Sequence, residues 1–440
     1  PYGGNRAGDN LYANCLLALD ARTGERKWHF QTIHHDLWDY DLPSPPVLLT
    51  IRRDGKEIPA VAQTTKTGNT FVFHRLTGEP LFPIEEVPVP PSDLAGEQAS
   101  PTQPLPQAPP PFTRQGFTRK LITTRTPEAQ AAISAAYDTL RGGQMFVPPS
   151  LQGTLVFPGF DGGAEWGGPA VDPHRGILYV NANEMVWTVT MMEHDRYQQR
   201  LASDRSPGRM LYDQHCLACH GPDLKGDGHY GYPALIGLNA TYTPDSLDGL
   251  IRYGVGMMPG FPFLNADEAR QIRDFLLGLE DRSRVADTTI TQARRMALPY
   301  VSRGFYRLLD PDGYPAIQPP WGTLSAIDLN SGEMLWQTPL GEFPELSAQG
   351  IPRTGTENYG GPILTAGKLI FIGATKDEQF RAFDQESGAE LWRYALPAGG
   401  YATPATYAVD GRQFVVIACG GDKMGTKSGD SFVAFVLPVE

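Results

Sequence analysis

The sequence predicts an all-β propeller into which a small all-α unit is inserted. Three observations carry that expectation. One pattern occurs three times, as LLALDARTGERKWHF at 16–30, LSAIDLNSGEMLWQT at 324–338 and FRAFDQESGAELWRY at 380–394. The 440 residues include 48 glycines and 40 prolines, and only 20% are charged, a turn-rich composition that suits strands better than a helical bundle. Residues 203–282 then abandon the strand pattern and end in a helical periodicity. A chain of this length exceeds the usual single core, so more than one structural unit is expected.

Each copy of the repeat is an alternating apolar strand that ends in Asp, followed by a glycine turn and a second strand bearing Trp. Asp20, Asp328 and Asp384 can accept hydrogen bonds from the turn backbone, and Gly24, Gly332 and Gly388 can adopt positive φ there. Trp28, Trp336 and Trp392 follow four residues after those glycines, which predicts docking of a large ring between neighbouring sheets. A degenerate copy, FVFHRLTGEPLF at 71–82, keeps the turn and puts Phe82 in place of Trp. Further strands are expected at 152–158, 177–183, 368–374 and 413–418. Radially repeated sheets describe a propeller, against the alternative of ordinary hairpins in a sandwich. Residues 87–112 are proline-rich and read as a long connection rather than a regular element. The domain boundaries that follow are 1–200 for the first part of the propeller, 201–285 for the inserted unit and 286–440 for the last part.

The formal net charge is −12 and no basic block stands out, so nucleic acid is not an expected partner. No run of 18 apolar residues occurs, so no spanning helix is expected. Four cysteines are too few for a disulfide scaffold.

Inside the inserted unit, QHCLACHGPD at 214–223 contains CxxCH. CxxC alone suits a redox dithiol or half a zinc site. CxxCH is narrower: Cys216 and Cys219 can form thioethers to haem vinyl groups while His220 becomes the proximal iron ligand. Residues 254–263, GVGMMPGFPF, offer the second axial ligand; Met258, directly before Pro259, is the better candidate and Met257 the alternative. In ADEARQIRDFLLGLE, residues Ala266, Ala269, Ile272, Phe275, Leu276 and Leu279 follow a 3–4 period and predict a closing helix. On CLACHG, MMPGF and that helix, the unit resembles a class I cytochrome c domain. The resemblance implies covalent haem c and a periplasmic location, with membrane association left open.

The longest polar-aromatic cluster is QTIHHDLWDYDLP at 31–43. A carboxylate among aromatic rings suits a shielded base or a metal ligand, and equally a capped loop packed on sheet edges. The stretches 8–43, QTTKTGNTFVFHRLTG (63–78), FVPPSLQGTLVFPG (146–159), EWGGPAVDP (165–173), NYGGPILTAGKLIFIGAT (358–375) and LPAGGYATPATY (396–407) together resemble a pyrroloquinoline quinone (PQQ)-dependent dehydrogenase of the membrane glucose dehydrogenase type. That resemblance implies an eight-bladed propeller, of which this chain would hold part, with PQQ and a divalent metal, usually Ca²⁺, near its axis.

By the same resemblance, Asp39 matches the catalytic aspartate and also touches the metal, and Lys66 matches the basic residue beside the quinone oxygens. Glu165 and Trp166 lie where related alcohol dehydrogenases place an Asn–Trp pair; the Glu departs from that pattern. Asn358 and Tyr359 fall in another cofactor-facing segment, with blade packing the alternative for Trp166 and Tyr359. The implied function is a quinohaemoprotein that oxidises a sugar, polyol or alcohol hydroxyl by hydride transfer to PQQ and passes electrons to the haem. A cytochrome, copper protein or ubiquinone system would then accept them. The family's remaining metal and PQQ ligands fall upstream of Gly8-Asp9-Asn10, so an N-terminal part is expected to be absent from this chain, by truncation, by cleavage with the other half still bound, or in a degenerate protein that lacks PQQ; an N-terminal fragment or a membrane-anchor subunit is then an expected partner. The competing readings are a non-catalytic haem-bearing propeller for electron transfer or complex assembly, and a nitrite-reductase-like propeller, which would need a second haem site.

Overall fold

In the computed structural model, residues 1–194, 196, 206–221, 224–226, 232–256, 258–280 and 298–437 are described. The chain divides into two compact units: Pro1–Thr190 with Phe305–Gly421 and Ser428–Glu440, and Met191–Gly304 with Asp422–Lys427. The boundaries expected at 200/201 and 285/286 fall outside the described residues, as does Met257.

The first unit is a β-propeller fold. Five of its sheets are numbered in chain order; a further sheet that holds Arg141–Gly142 and Thr154–Val156 falls between the second and third. The five are built on Cys15–Leu19 with Arg26–Gln31; on Val47–Arg53, Lys56–Thr64 and Thr70–His74; on Ala170–Asp172, Ile177–Asn183, Gly322–Asp328 and Glu333–Pro339; on Ile363–Leu364, Leu369–Ile372, Gln379–Asp384 and Glu390–Ala395; and on Ala405–Val409, Arg412–Cys419 and Ser431–Val436. The third sheet is closed by strands that lie on either side of the insertion in sequence, since Ile177–Asn183 pairs with Gly322–Asp328.

Strand alternation explains how the sheets stack. Leu178, Val180 and Ala182 point toward Leu49, Ile51, Ala60 and Val72 of the second sheet. Ile177 and Tyr179 point the other way, toward Ile370, Ile372 and Phe383 of the fourth. A strand buried on both faces carries no polar face, which is why Ile177–Asn183 is buried throughout.

The repeat does what its residues predict. Gly24, Gly332 and Gly388 have φ of +73°, +80° and +69°. Their N–H groups donate to the carbonyls of Asp20, Asp328 and Asp384 at 2.8, 2.7 and 3.0 Å, and each Asp carboxylate accepts from the turn backbone. The strand slips register two residues before each of these Asp residues. The rings dock from one sheet onto the next sheet's turn. A Cβ on Gly388 would sit 2.6 Å from the Trp336 ring, one on Gly332 2.5 Å from Phe82, and one on Gly78 2.7 Å from Trp28. Phe82 thus performs the Trp role in the degenerate copy. Trp28 and Trp336 add Nε1 hydrogen bonds to the carbonyls of Arg75 and Gln385.

Two expectations need correction. The proline-rich segment contains a regular ribbon, Ile84–Pro88 paired antiparallel with Thr102–Pro106. An isolated two-stranded ribbon leaves half its N–H groups outside the ladder, so Pro88, Pro104 and Pro106 are tolerated there. The closing helix ends earlier than its periodicity suggests, at Ala266–Leu277, because Gly278 takes a left-handed conformation and leaves Leu279 outside. A helix at Pro127–Thr139, started by a Thr126 cap and Pro127, is an addition to the sequence reading.

The second unit packs helices Pro207–His215, Pro244–Tyr253 and Ala266–Leu277 around Leu238, Leu247, Ile251, Leu264 and Ile272. The first and last of these helices touch at Gly208, where a Cβ would lie 2.0 Å from the Gln271 carbonyl. Only glycine permits that approach.

Candidate functional site

In the first unit the loop after the first sheet carries Asp39, and its neighbours fix it. The Asp36 carboxylate accepts from the Trp38 N–H at 2.8 Å and from Asn14 at 2.9 Å. Trp38 donates to the Val147 carbonyl, and Tyr40 to the Pro158 carbonyl, both at 2.8 Å. The two rings stack with each other and meet Phe146 edge-on. Asp36, Trp38 and Tyr40 therefore form a capped, packed loop. Asp39 differs. It has φ +65°, and its side chain is 54% exposed.

Lys66 reaches Asp39 from the tip of the second sheet's hairpin, where Gly68 (φ +76°) turns TTKTGNT back on itself. Its side chain is 8% exposed, and Nζ lies 3.0 Å from Asp39 Oδ2, 3.1 Å from the Asp39 carbonyl and 2.5 Å from Asp41 Oδ1. Burial acts against the Lys66 ammonium, but Asp39 and Asp41 outweigh it and hold its pKa above the ordinary lysine value. Burial raises the Asp39 carboxyl against the pull of Lys66, with Asp41 and Asp36 adding to the rise. The Lys66 stem lies along Gly162, where a Cβ would come within 2.3 Å of Cγ, and the Gly163 N–H donates to the Lys66 carbonyl.

The other expected residues fall differently. Trp166 is exposed, and the Glu165 carbonyl accepts from Ser44. The Asn358 side chain is bonded to Asn181 at 2.6 Å and to the Ala182 and Thr356 carbonyls, tying the third sheet to the segment that leads into the fourth. The Tyr359 hydroxyl accepts from Arg307 at 3.1 Å. Arg307 also bonds Asp161 at 2.6 Å, lies 2.5 Å from Glu357 and sits over the Trp187 ring. Burial, with Asp161 adding to it, holds the Tyr359 hydroxyl protonated. Asp161, Gly162, Arg307 and Glu357 went unmarked in the sequence. The Asp161-Gly162 pair, Arg307 and Glu357 are far apart in the chain, and only the glycine-rich run GFDGGAEWGG at 159–168 signals a close approach.

In the second unit the CxxCH forms the short helix Leu217–His220. His220 is buried, and its Nδ1 faces the Pro233 carbonyl at 3.0 Å. A carbonyl only accepts, so Nδ1 carries the proton and Nε2 keeps its lone pair for a metal. Burial pushes the Cys216 thiol up to about 12 and raises Cys219 as well. A redox dithiol is marked by a lowered thiol pKa, which these two cysteines do not show. Met258 is half-buried on the small ribbon Gly254–Val255 with Met258–Pro259. The donor set fits haem c.

Among the described residues, no group of three or more His, Cys, Asp or Glu could hold a metal ion. Of a calcium site, which takes six to eight oxygens, the described residues offer the half-exposed Asp39 carboxylate. For PQQ, the Asp39–Lys66 pair supplies a carboxylate and a cation side by side.

This fold and site define a propeller quinoprotein carrying a c-type cytochrome module. The chain belongs to the PQQ family described as glucose/ethanol/alcohol dehydrogenase, beta-propeller domain, which it matches over residues 1–217 and 278–415. The cofactors of that family are PQQ and Ca²⁺. Residues 203–276 match cytochrome C oxidase, cbb3-type, subunit III, consistent with an inserted haem c module. The chain is 34% identical to quinoprotein glucose dehydrogenase of Escherichia coli (strain K12), over 99% of this chain and 46% of that protein. It is 32% identical to the probable quinate dehydrogenase (quinone) of Xanthomonas campestris pv. juglandis, over 99% and 46%. It is also 32% identical to the glycerol dehydrogenase large subunit of Gluconobacter thailandicus, over 98% and 50%. The chain spans about half the length of the curated relatives it matches. No helix among the described residues is long and apolar enough to cross a membrane.

Proposed function

We propose that the protein is a periplasmic quinohaemoprotein dehydrogenase that oxidises a sugar, polyol or alcohol hydroxyl and delivers the electrons to its own haem c. The observation that carries this reading is the Asp39–Lys66 pair, a half-exposed carboxylate against a buried ammonium. PQQ, when bound, supplies an electrophilic quinone carbonyl that accepts a hydride. Lys66 engages Oδ2 of Asp39, which leaves Oδ1 to accept the proton of the substrate hydroxyl. The same ammonium, kept charged by Asp41, offsets negative charge that develops beside it. The loop anchors at Asn14, Val147 and Pro158 hold Asp39 in place, so little reorganisation is needed at the moment of proton transfer.

In the inserted module, 201–285 in our division, Cys216, Cys219, His220 and Met258 hold the haem, which supplies one-electron acceptance. Covalent haem c supports the periplasmic location. The mixed identities of the relatives, named for glucose, quinate and glycerol, support a polyhydroxylated substrate class.

The test is haem reduction in the full-length protein reconstituted with PQQ and Ca²⁺ and mixed with aldoses, polyols and cyclitols. Substrate-dependent reduction that Asp39→Asn abolishes supports the dehydrogenase. If no substrate reduces the haem and Asp39→Asn changes nothing, the propeller is a non-catalytic carrier of the cytochrome.

A further inference from the structure

The ribbon Ile84–Pro88 with Thr102–Pro106 and the turn between its strands lie against the loop that presents Asp39, and the contacts are side-chain specific. Gln103 is fully buried; its Oε1 accepts from the His34 N–H at 2.8 Å and its Nε2 donates to the His34 carbonyl at 2.7 Å. His34 Nε2 lies 3.3 Å from Glu86 Oε1. One residue on, His35 Nε2 meets Glu97 Oε1 at 2.8 Å, with the His35 side chain 2% and the Glu97 side chain 0% exposed.

That last pair is tightly constrained. His35 Nδ1 faces the Gly8 carbonyl at 2.8 Å, so it carries a proton. Its other nitrogen faces the Glu97 carboxyl group. Glu97 is satisfied further by the backbone N–H groups of Gly3 and Gln98. His35 itself has φ +44°, four residues before Asp39 at +65°. Non-glycine residues in that region are held there by their surroundings. Gly3 makes the approach feasible, since a Cβ on it would lie 2.5 Å from His35 Nε2.

We propose that residues 84–106 form a clasp on the catalytic loop, with His35–Glu97 as its bolt, and that His35 and Glu97 are positioning residues for Asp39. The inference rests on the dehydrogenase reading for its kinetic consequence, but not for its structural one. A buried acid and histidine on two segments 62 residues apart bring loop and ribbon together at one defined point. Loss of the bolt frees the strained backbone between His35 and Asp39 without touching either Asp39 or Lys66.

The experiment combines amide hydrogen exchange with steady-state kinetics on the full chain. In Glu97→Ala, the His34, His35 and Trp38 amides exchange at least tenfold faster, while those of Ala62 and Val72 in the second sheet are unchanged. The kcat falls at least tenfold with KM within twofold. Glu97→Gln, whose amide N–H can donate to His35 Nε2 while its amide oxygen accepts from the Gly3 N–H, stays within twofold of wild type in both. Gly3→Ala, which pushes on the ring and leaves the carboxylate, reproduces Glu97→Ala. Unchanged exchange in Glu97→Ala overturns the clasp; faster exchange with unchanged kcat overturns the positioning role. A wild-type chain with no dehydrogenase activity refutes the proposed function and leaves the exchange comparison readable.

Discussion

Asp39 and Lys66 sit 27 residues apart in sequence and 3.0 Å apart in space, and their mutual effect fixes the pH behaviour of the site. A base must be ionised to act. Because burial raises Asp39, the acid limb of kcat/KM should lie above the ordinary aspartate value of about 3.9. Lys66 pulls that value down, so Lys66→Ala should move the limb to higher pH, whereas Asp41 pushes it up, so Asp41→Asn should move it lower. A pH profile of haem reduction reads both shifts. Asp39→Asn should lower the rate by about 10²–10⁴-fold, the usual worth of a general base. In the cytochrome unit, Met258→Ala should lower the haem midpoint potential, because a thioether ligand favours ferrous iron; potentiometry with optical detection checks it.

At the scale of the element, the propeller is held by a ring placed on the next sheet's glycine turn. The Trp336–Gly388 contact separates two energetic contributions. Gly388→Ala forces both a positive φ and a clash with the Trp336 ring, whereas Gly24→Ala, with no neighbouring atom within 4 Å, forces only the positive φ. Denaturant titration should show Gly24→Ala costing about 1 kcal/mol and Gly388→Ala about 2–3 kcal/mol, the excess being overpacking. Trp336→Ala should cost about 2–3 kcal/mol, below the range for fully buried tryptophans because this ring is only partly buried. This part of the fold was legible in the sequence because turn chemistry and ring position recur at fixed spacing. The proline-rich ribbon was not, because pairing depends on what lies across from each strand, and Pro104 opposite Glu86 carries no local signal of it. The helix end at Gly278 is not legible in the periodicity, because a 3–4 period continues through Leu279 while the glycine's left-handed backbone ends the helix.

Over the whole molecule the excess of 49 acidic over 37 basic residues predicts how it meets its electron acceptor. Reoxidation of the haem by a cationic acceptor should slow as ionic strength rises from ~0.01 to ~0.15 M, while a neutral acceptor should show little change; stopped-flow rates decide it. The sequence by itself marked the repeat and the CxxCH of Cys216, Cys219 and His220, because each is written in residues close together or in a motif with fixed spacing, whereas the roles expected of Asp39 and Lys66 rested on a family resemblance. Only the tertiary structure decided which carboxylate of the 31–43 cluster is presented and which is spent on capping, since Asp36 and Asp39 are chemically alike and differ in their neighbours. It also decided that Arg307 gathers Asp161, Glu357 and Tyr359, that Asn358 ties the third sheet to the segment leading into the fourth, and that His35 meets Glu97. These contacting pairs lie from 50 to 177 residues apart. Contacts at such separation follow from how sheets stack, a property of the folded chain that no local pattern encodes.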